Sequence, residues 1–449
     1  MNLWAEFDNK QAPPESAGRG RTRRLTEQFI LSSLRNWLLH DYVAPYCRSL
    51  GTTRIYPRCY WIDALGAATR TNSLSSDPGD DRKNRKKNAI QSLPPMLASI
   101  ASLSQELAQE SKPIALHAII LEAGSSKRQE TREMNRPAKA VHSRDDPLQL
   151  PWVAKDANEK NPGVPAKDAT LPRESGIVRA SWLEIAPMLL KEIEQSPAIF
   201  LLNPFGHSVF TYDDLAPLYQ RTAPTELCLL ISHNRCIASL HTSAKTSAFT
   251  ALLRTDRWKA LLPKAEETTQ AVDGVIDLLI ASMQRDFLSV QRIALPVQVR
   301  PAVVETAPYT LLFATRRQDS LAYMNDAVCV YRRRLAEQSH QGILGEEWFA
   351  RQQQERLTEE MQQLYQRTLQ QGRARRARRW PDLRQQLLIS NFGQFTIRDY
   401  DEVMRKIIAN GEVRCEWRNV GAPLVGAPVS TPSPLDARVP GNDDTLFWH

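Results

Sequence analysis

The sequence predicts an α/β protein built on a doubly wound, mostly parallel sheet. Short runs rich in apolar, aromatic and β-branched residues alternate with stretches in which apolar residues recur at helical spacing. Strands separated by helices in this way are covered on both faces, which is typical of a parallel sheet. The expected strands are residues 58–63, 114–122, 198–203, 226–232 and 309–314.

The first helix is expected over residues 24–46, because Ile30, Leu34 and Leu38 fall on one face of it. It should pack against the sheet that follows. Further helices are expected over residues 89–111, 181–195, 212–221 and 271–287.

The C-terminal part has a different pattern. A long polar helix is expected over residues 344–379, followed by helix 382–390, helix 397–409 and strand 412–418. Thr396 and Asp399 have the spacing of a capping box at the start of the third of these helices. Two helices and a strand in so short a segment suggest a small winged-helix-like domain.

Five segments describe the expected organisation. They are a flexible tail (1–23), a main domain (24–335) with a disordered insertion (124–175), a helical basic linker (336–380), the winged-helix-like unit (381–420) and a disordered tail (421–449).

The composition argues against a membrane-spanning, secreted or metal-binding protein. Of the 449 residues, 42% are hydrophobic, yet no apolar run approaches the ~18 residues that cross a bilayer, and the N-terminus lacks the order of a signal peptide. A cytoplasmic protein without a membrane partner is therefore expected. The six cysteines are scattered without a CxxC pair, which predicts buried thiols and no metal site.

The strand ends supply candidate ligand-binding residues, because ligands of doubly wound sheets bind outside the carboxyl ends of the strands. Asp63 ends the first strand and Gly66 follows it, in a turn of small residues that would let a cofactor approach the backbone. Glu122 ends the second strand, where a carboxylate can accept hydrogen bonds from ribose hydroxyls. A tight turn at Asp63 and a solvated carboxylate at Glu122 are the alternatives.

A second candidate group follows the strand at residues 198–203. Asn203, Pro204 and Phe205 could face a substrate, since two carbonyl oxygens would accept from an exocyclic amine while the phenyl ring stacks on the substrate ring. An ordinary Asn-Pro turn is the alternative. His207 and His233 are interpreted as surface or loop histidines.

Several enzyme classes lack their motifs here. The sequence contains no GxxxxGK[ST] phosphate loop, no GxSxG nucleophile elbow and no HExxH metal motif. Nucleotide hydrolysis, serine hydrolysis and zinc-dependent proteolysis are therefore not favoured.

The order of segments resembles the three-Cys-motif partner family (TcmP) over residues 24–335. The likeness is carried by YWID (60–63), the strand that ends in Glu122, FLLNPFG (200–206), Asp256-Arg257-Trp258 and YTLLFATRRQDSLAYMNDA (309–327). The resemblance implies a Rossmann-like fold of the S-adenosylmethionine-dependent methyltransferase type, and a partner protein that is radical-SAM-like with a three-cysteine motif.

The resemblance also assigns residues. Asp63 and Gly66 match the family's D-x-F-A-G-x-G loop, Glu122 its strand-end acid, and Asn203 to Gly206 its DPFG motif. This chain departs from the family at Ala68, which stands in place of a glycine and predicts weaker cofactor binding, and at Asn203, which removes a potential base.

Two functions are compatible with these observations. The first is a methyltransferase-like enzyme, possibly degenerate, with cofactor residues Asp63, Gly66 and Glu122. The second is a non-catalytic nucleic-acid-binding or scaffold protein, for which a basic run predicts salt-dependent binding of duplex DNA. A solvated helix end is the alternative interpretation of this run. The run consists of Arg373, Arg375, Arg376, Arg378 and Arg379.

Overall fold

A computed structural model describes most of the chain. The described residues are 27–66, 95–122, 174–206, 208–242, 246–264, 268–300, 303–340, 345–418 and 438–449. The expected tail at 1–23, the insertion at 124–173, His207, Ala68 and residues 421–437 lie outside these ranges.

The central sheet has seven strands in the order β3-β2-β1-β4-β5-β7-β6. Their bounds are β1 Arg58–Asp63, β2 Ala115–Leu121, β3 Gly176–Val178, β4 Ala198–Leu202, β5 Thr225–Ser232, β6 Ser289–Arg300 and β7 Val303–Thr315. The first five strands pair in parallel, whereas β7 is antiparallel to both of its neighbours. The prediction of a mostly parallel sheet is therefore confirmed.

Helices cover both faces of this sheet, and each face has its own apolar core. The helices of the main body are α1 Glu27–Trp37, α2 Ala44–Thr53, α3 Pro95–Gln109, α4 Trp182–Glu192, α5 Tyr212–Tyr219, α6 His233–Leu240, α7 Thr246–Leu253, α8 Thr268–Met283 and α9 Gln318–His340. The central strands are buried on both faces, as β1 and β4 illustrate, which explains their continuous apolar sequences.

The N-terminal helix is not one regular α-helix. A π-helical turn, Leu38–Val43, separates α1 from α2. Pro45 lies in the first turn of α2 and so begins that helix rather than ending the one before it. The apolar face predicted from Ile30, Leu34 and Leu38 is buried.

Three further helices and a two-stranded hairpin complete the chain. They are α10 Glu346–Arg375, α11 Trp380–Ser390, α12 Ile397–Ala409, β8 Val413–Glu416 and β9 Thr445–Trp448. The capping box of α12 is present, since the backbone N–H of Thr396 donates to Asp399 and that of Asp399 donates to the Thr396 hydroxyl. The core of this part is continuous with the core on one face of the main sheet.

Two expectations about this region are wrong. The long helix ends at Arg375 instead of residue 379, because Arg376 takes a left-handed conformation (φ 48°) and the chain turns before α11. The expected disordered tail includes β9, which pairs antiparallel with β8 and brings Trp448 against Gly372. Aromatic and apolar residues at 446–448 indicate this strand, despite the Pro-rich sequence before them.

All six cysteines lie in described residues and are free thiols, five of them buried. Among the helices of the described ranges, none is long and apolar enough to cross a membrane.

Candidate functional site

Three of the predicted segments reach the same edge of the sheet. Asp63, the last residue of β1, is paired with Ile120 of β2 on one side and with Leu201 of β4 on the other. Glu122 and Asn203 each lie two residues further along the strands that flank β1. Neighbouring strands are about 4.8 Å apart, so these two positions stand roughly 10 Å apart across the end of β1.

This edge contains the switch point of the sheet. From β1 the strand order proceeds to β2 and β3 on one side, and to β4 and β5 on the other. In doubly wound sheets the connections that leave such a point diverge to opposite faces, and ligands bind in the crevice between them. The structure thus brings Asp63, Gly66, Glu122 and Asn203 to one rim.

Arg35 of α1 forms hydrogen bonds with the end of β1 and the turn that follows it. Its Nε donates to Oδ2 of Asp63 (2.6 Å), and its Nη2 donates both to Oδ1 of Asp63 (3.1 Å) and to the carbonyl oxygen of Gly66 (2.7 Å). Both side chains are buried, with 3% and 0% exposure. A bidentate guanidinium–carboxylate pair with an added backbone contact fixes the geometry of the turn that follows β1.

The position of Asp63 corrects the expectation that it contacts a cofactor. Its carboxylate is fully buried, and its Oδ1 accepts a further hydrogen bond from the backbone N–H of Leu65 (3.0 Å). Neither oxygen is exposed to a ligand in the crevice. Asp63 therefore holds the turn in place, while the turn itself forms the surface.

Gly66 has the properties expected of a residue that a ligand approaches. Its φ of 72° lies in the left-handed region, and no atom of the other described residues, apart from its chain neighbours, lies within 4 Å of the position that a Cβ would occupy. Among the described residues, the space beside its backbone is therefore open. Glycine fits this position both for its conformation and for the access that it leaves.

Glu122 stands at the opposite side of the rim. Its backbone N–H donates to the carbonyl oxygen of Val178 (2.9 Å), which extends the pairing of β2 with β3 by one residue. The residue is half-buried. The contact fixes its backbone at the rim of the sheet.

The segment from Asn203 to Phe205 is an Asx turn, which was the alternative interpretation of its sequence. Oδ1 of Asn203 accepts from the backbone N–H of Phe205 (3.0 Å), and the carbonyl oxygen of Pro204 accepts from that of Phe210 (3.0 Å). Asn203 is half-buried, and its amide nitrogen makes no hydrogen bond with any described residue. That nitrogen is the group of the segment best placed to meet a substrate.

Phe205 does not face the rim, which corrects its expected role. Its side chain is fully buried and stacks on Phe249 of α7, with ring centroids 5.2 Å apart and an interplanar angle of 24°. Trp258 packs against the same Phe249 ring. Phe205 is a core residue, so it has no exposed face on which a substrate ring could stack.

Helix α1 lies against the carboxyl ends of the strands. Glu27, at its start, accepts from Arg235 just beyond β5 (2.7 Å), and Arg35, two turns later, contacts the end of β1. The helix therefore crosses the carboxyl ends of the strands. The sequence analysis did not identify Arg35. Its position on the apolar face of the helix, four residues after Leu31 and three before Leu38, could have indicated a buried ion pair.

His233 begins α6 at the same edge. Its Nε2 shares a hydrogen bond with the Thr310 hydroxyl (2.9 Å). Burial, and secondarily the charge of Arg292, lowers the pKa of His233, so its ring is neutral at pH 7. The described residues contain no group of three or more acidic, histidine and cysteine side chains arranged to hold a metal ion.

The five arginines of the basic run are all exposed. Arg373 pairs with Glu412 and Arg375 with Gln386, whereas the side chains of Arg376, Arg378 and Arg379 have no hydrogen bond or ion pair with described residues. Residues 376–379 form the turn between α10 and α11, which we name the arginine turn. Within the described part of the chain, its three cationic side chains are thus exposed and without an ion-pair partner.

The C-terminal strand holds the backbone of the arginine turn. The backbone N–H of Leu446 donates to the carbonyl oxygen of Arg378 (2.9 Å), and the indole Nε1 of Trp448 donates to that of Ala377 (2.6 Å). At Gly372, an added Cβ would lie 2.2 Å from the Trp448 ring, so only glycine lets this ring approach. The arginine turn is therefore fixed in position while its side chains remain in solvent.

No protein-family model, curated protein or solved structure matches this chain. Its function is therefore inferred from the geometry of the rim, the exposed arginines and the sequence resemblance.

Proposed function

We propose that this chain is a methyltransferase-like protein that binds S-adenosylmethionine at the rim between β1, β2 and β4. The observation that carries the proposal is the position of Gly66, which Arg35 and Asp63 hold at the switch point of a doubly wound sheet and whose backbone no other described residue covers.

The residues at the rim would have different roles in such a site. The turn that ends at Gly66 would receive the methionine part of the cofactor, and Glu122 would accept hydrogen bonds from the ribose hydroxyls. Asn203 would orient the methyl acceptor through its amide nitrogen. Methyl transfer depends mainly on alignment of the two reactants, so the lack of a carboxylate at position 203 is compatible with the reaction.

The partner proposed from the resemblance is a radical-SAM-like protein with a three-cysteine motif. It would bring or modify the methyl acceptor. Co-expression of the two proteins, with methyl transfer measured in the presence and absence of the partner, tests this dependence.

Glu122→Gln is expected to weaken S-adenosylmethionine binding roughly 10-fold or more, because a hydrogen bond to a charged group contributes about 1.5–3 kcal/mol. Isothermal titration calorimetry of the full chain measures this affinity. Asn203→Ala should leave the affinity for the cofactor unchanged and lower methyl transfer.

Glu110→Gln, on the surface beyond α3, is the matched control and should bind as the unmodified chain does. The absence of binding heat at millimolar cofactor in the unmodified chain would contradict the proposal. Equal affinities of the Glu122→Gln and Glu110→Gln variants would contradict the role of Glu122.

A second candidate function is nucleic-acid binding through the basic run. The exposure of all five arginines favours it, as does the lack of acidic partners among the described residues for the three in the arginine turn. Arginine binds phosphate oxygens in a bidentate manner, and such contacts make binding dependent on salt. The order of α11, α12 and the β8–β9 hairpin supports a winged-helix-like unit beside the arginines.

Replacement of all five arginines by alanine is expected to abolish retention of nucleic acid at moderate salt and to leave cofactor binding intact. Filter binding over a series of salt concentrations provides the measurement, and the slope against salt should fall by about 0.7–0.9 for each phosphate that the variant no longer binds. Retention that is insensitive to salt, or unchanged in the variant, would count against this function.

A further inference from the structure

Phe447 is an exposed aromatic ring on the outer face of the C-terminal hairpin. Its exposure is 44%, while Leu446 and Trp448 on either side of it face the helices. Arg414, its register partner on β8, holds its guanidinium carbon 5.6 Å from the ring centroid. The ring thus contacts the guanidinium group of Arg414 and remains partly exposed to solvent.

The backbone of Phe447 lies beside that of the arginine turn. Leu446, the residue before Phe447, is hydrogen-bonded through its backbone to Arg378. Because the strand holds the backbone of the turn as well as that of Phe447, the points from which the ring and the three arginine side chains project keep their relative positions.

The hairpin carries a second pairing of arginine with an aromatic ring. The guanidinium carbon of Arg438 lies 5.5 Å from the ring centroid of Trp417, which directly follows the end of β8. Trp417 stands three positions after Arg414, and the alternation of side chains along a strand places it on the face opposite to Arg414 and Phe447. This second pair is therefore not part of the surface that carries Phe447.

We propose that the C-terminal hairpin and the arginine turn bind single-stranded nucleic acid, with phosphates on Arg376, Arg378 and Arg379 and an unpaired base stacked on Phe447. The inference rests on the second candidate function and names its substrate class. Successive bases of single strands stack on aromatic side chains while cationic groups follow the backbone.

A duplex is disfavoured by the same geometry. In a duplex each base is stacked on its neighbours, so an exposed phenyl ring has no base to contact. Phosphates are assigned to the side of the arginine turn because the outer face of the hairpin also carries Glu416, opposite Thr445. The carboxylate of Glu416 would repel a phosphate placed on the β8 side of this face, whereas the arginine turn lies along the other edge of β9.

Fluorescence anisotropy of the full chain with labelled oligonucleotides of about 15 nucleotides tests the inference, with single strands, duplexes and heparin as probes. Phe447→Leu should weaken single-strand binding on the order of 10-fold, without changing the dependence on salt. Replacing Arg376, Arg378 and Arg379 by Gln should reduce the salt slope by about 2.

The controls are exposed residues of the other end of α10. Trp348→Leu removes an exposed aromatic ring, and the double variant Arg351→Gln and Arg356→Gln removes exposed positive charge; neither should change binding. Thermal unfolding confirms that each variant is folded.

The outcomes distinguish the single-strand inference from the more general nucleic-acid function on which it rests. Salt-dependent binding of duplex or heparin as tight as that of single strands, with no effect of Phe447→Leu, would overturn the inference and leave the arginine turn as a general phosphate site. Binding of none of the probes would overturn the nucleic-acid function as well.

Discussion

Arg35→Met is expected to lower the free energy of unfolding by about 3–5 kcal/mol, because it leaves the Asp63 carboxylate buried without a counter-ion. The variant also removes the hydrogen bond to the carbonyl oxygen of Gly66. Urea unfolding at pH 7 measures the loss. In the same variant the turn after β1 loses its anchor, so cofactor affinity should fall with stability.

A double variant distinguishes loss of the ion pair from loss of packing. Arg35→Met combined with Asp63→Leu should recover most of the lost stability, since an apolar pair of similar volume often replaces a buried ion pair at little cost. The double variant should still bind cofactor weakly, because the carbonyl of Gly66 has no donor. An unfolding free energy for Arg35→Met within about 1 kcal/mol of the unmodified chain would contradict this description of the pair.

Glu226→Gln is expected to stabilise the chain at pH 8 by up to about 3 kcal/mol and to have little effect near pH 4.5. Glu226 is fully buried at the start of β5, where Oε2 accepts from the Ser320 hydroxyl (2.7 Å) and Oε1 has no hydrogen-bond partner among described residues. Burial raises the pKa of Glu226 to about 7.

The direction of the pH dependence follows from this shift. The folded chain keeps the proton up to about pH 7, whereas the unfolded chain loses it near 4.5. The stabilising contribution of the protonated carboxyl is therefore complete below pH 4.5 and is lost as the pH rises to 7. Glutamine mimics the protonated carboxyl group, so Glu226→Gln should remove the loss of folding stability between pH 4.5 and 7.

Chemical unfolding at pH values between 4.5 and 8 measures the effect. Glu360→Gln, on the exposed face of α10, is the control and should leave the profile unchanged apart from its surface pair with Arg356. Parallel profiles for Glu226→Gln and the unmodified chain would show that Glu226 is ionised in the folded state throughout.

The inner strands of the sheet can be predicted from the sequence. The predicted strand 58–63 has the bounds of β1, and the predicted helix 397–409 has those of α12, because continuous apolar runs and a capping box are local signals. Strand β6 has no such signal. Pro296 and the register shift beside it interrupt its alternation, which an edge strand tolerates.

The candidate site is less predictable, because its arrangement depends on contacts distant in sequence. The convergence of Asp63, Glu122 and Asn203 follows from strand order. The burial of Asp63 depends on Arg35, 28 residues away, and that of Phe205 depends on Phe249, 44 residues away. Neither partner has a local motif that identifies it.

The most direct test of the central claim is a structure of the full chain with S-adenosylhomocysteine, the product form of the proposed cofactor. We expect the adenosyl group at the rim, with its ribose hydroxyls within hydrogen-bond distance of Glu122 and its amino-acid part beside the backbone of Gly66. An empty rim at saturating ligand, or a ligand bound elsewhere on the molecule, would contradict the account.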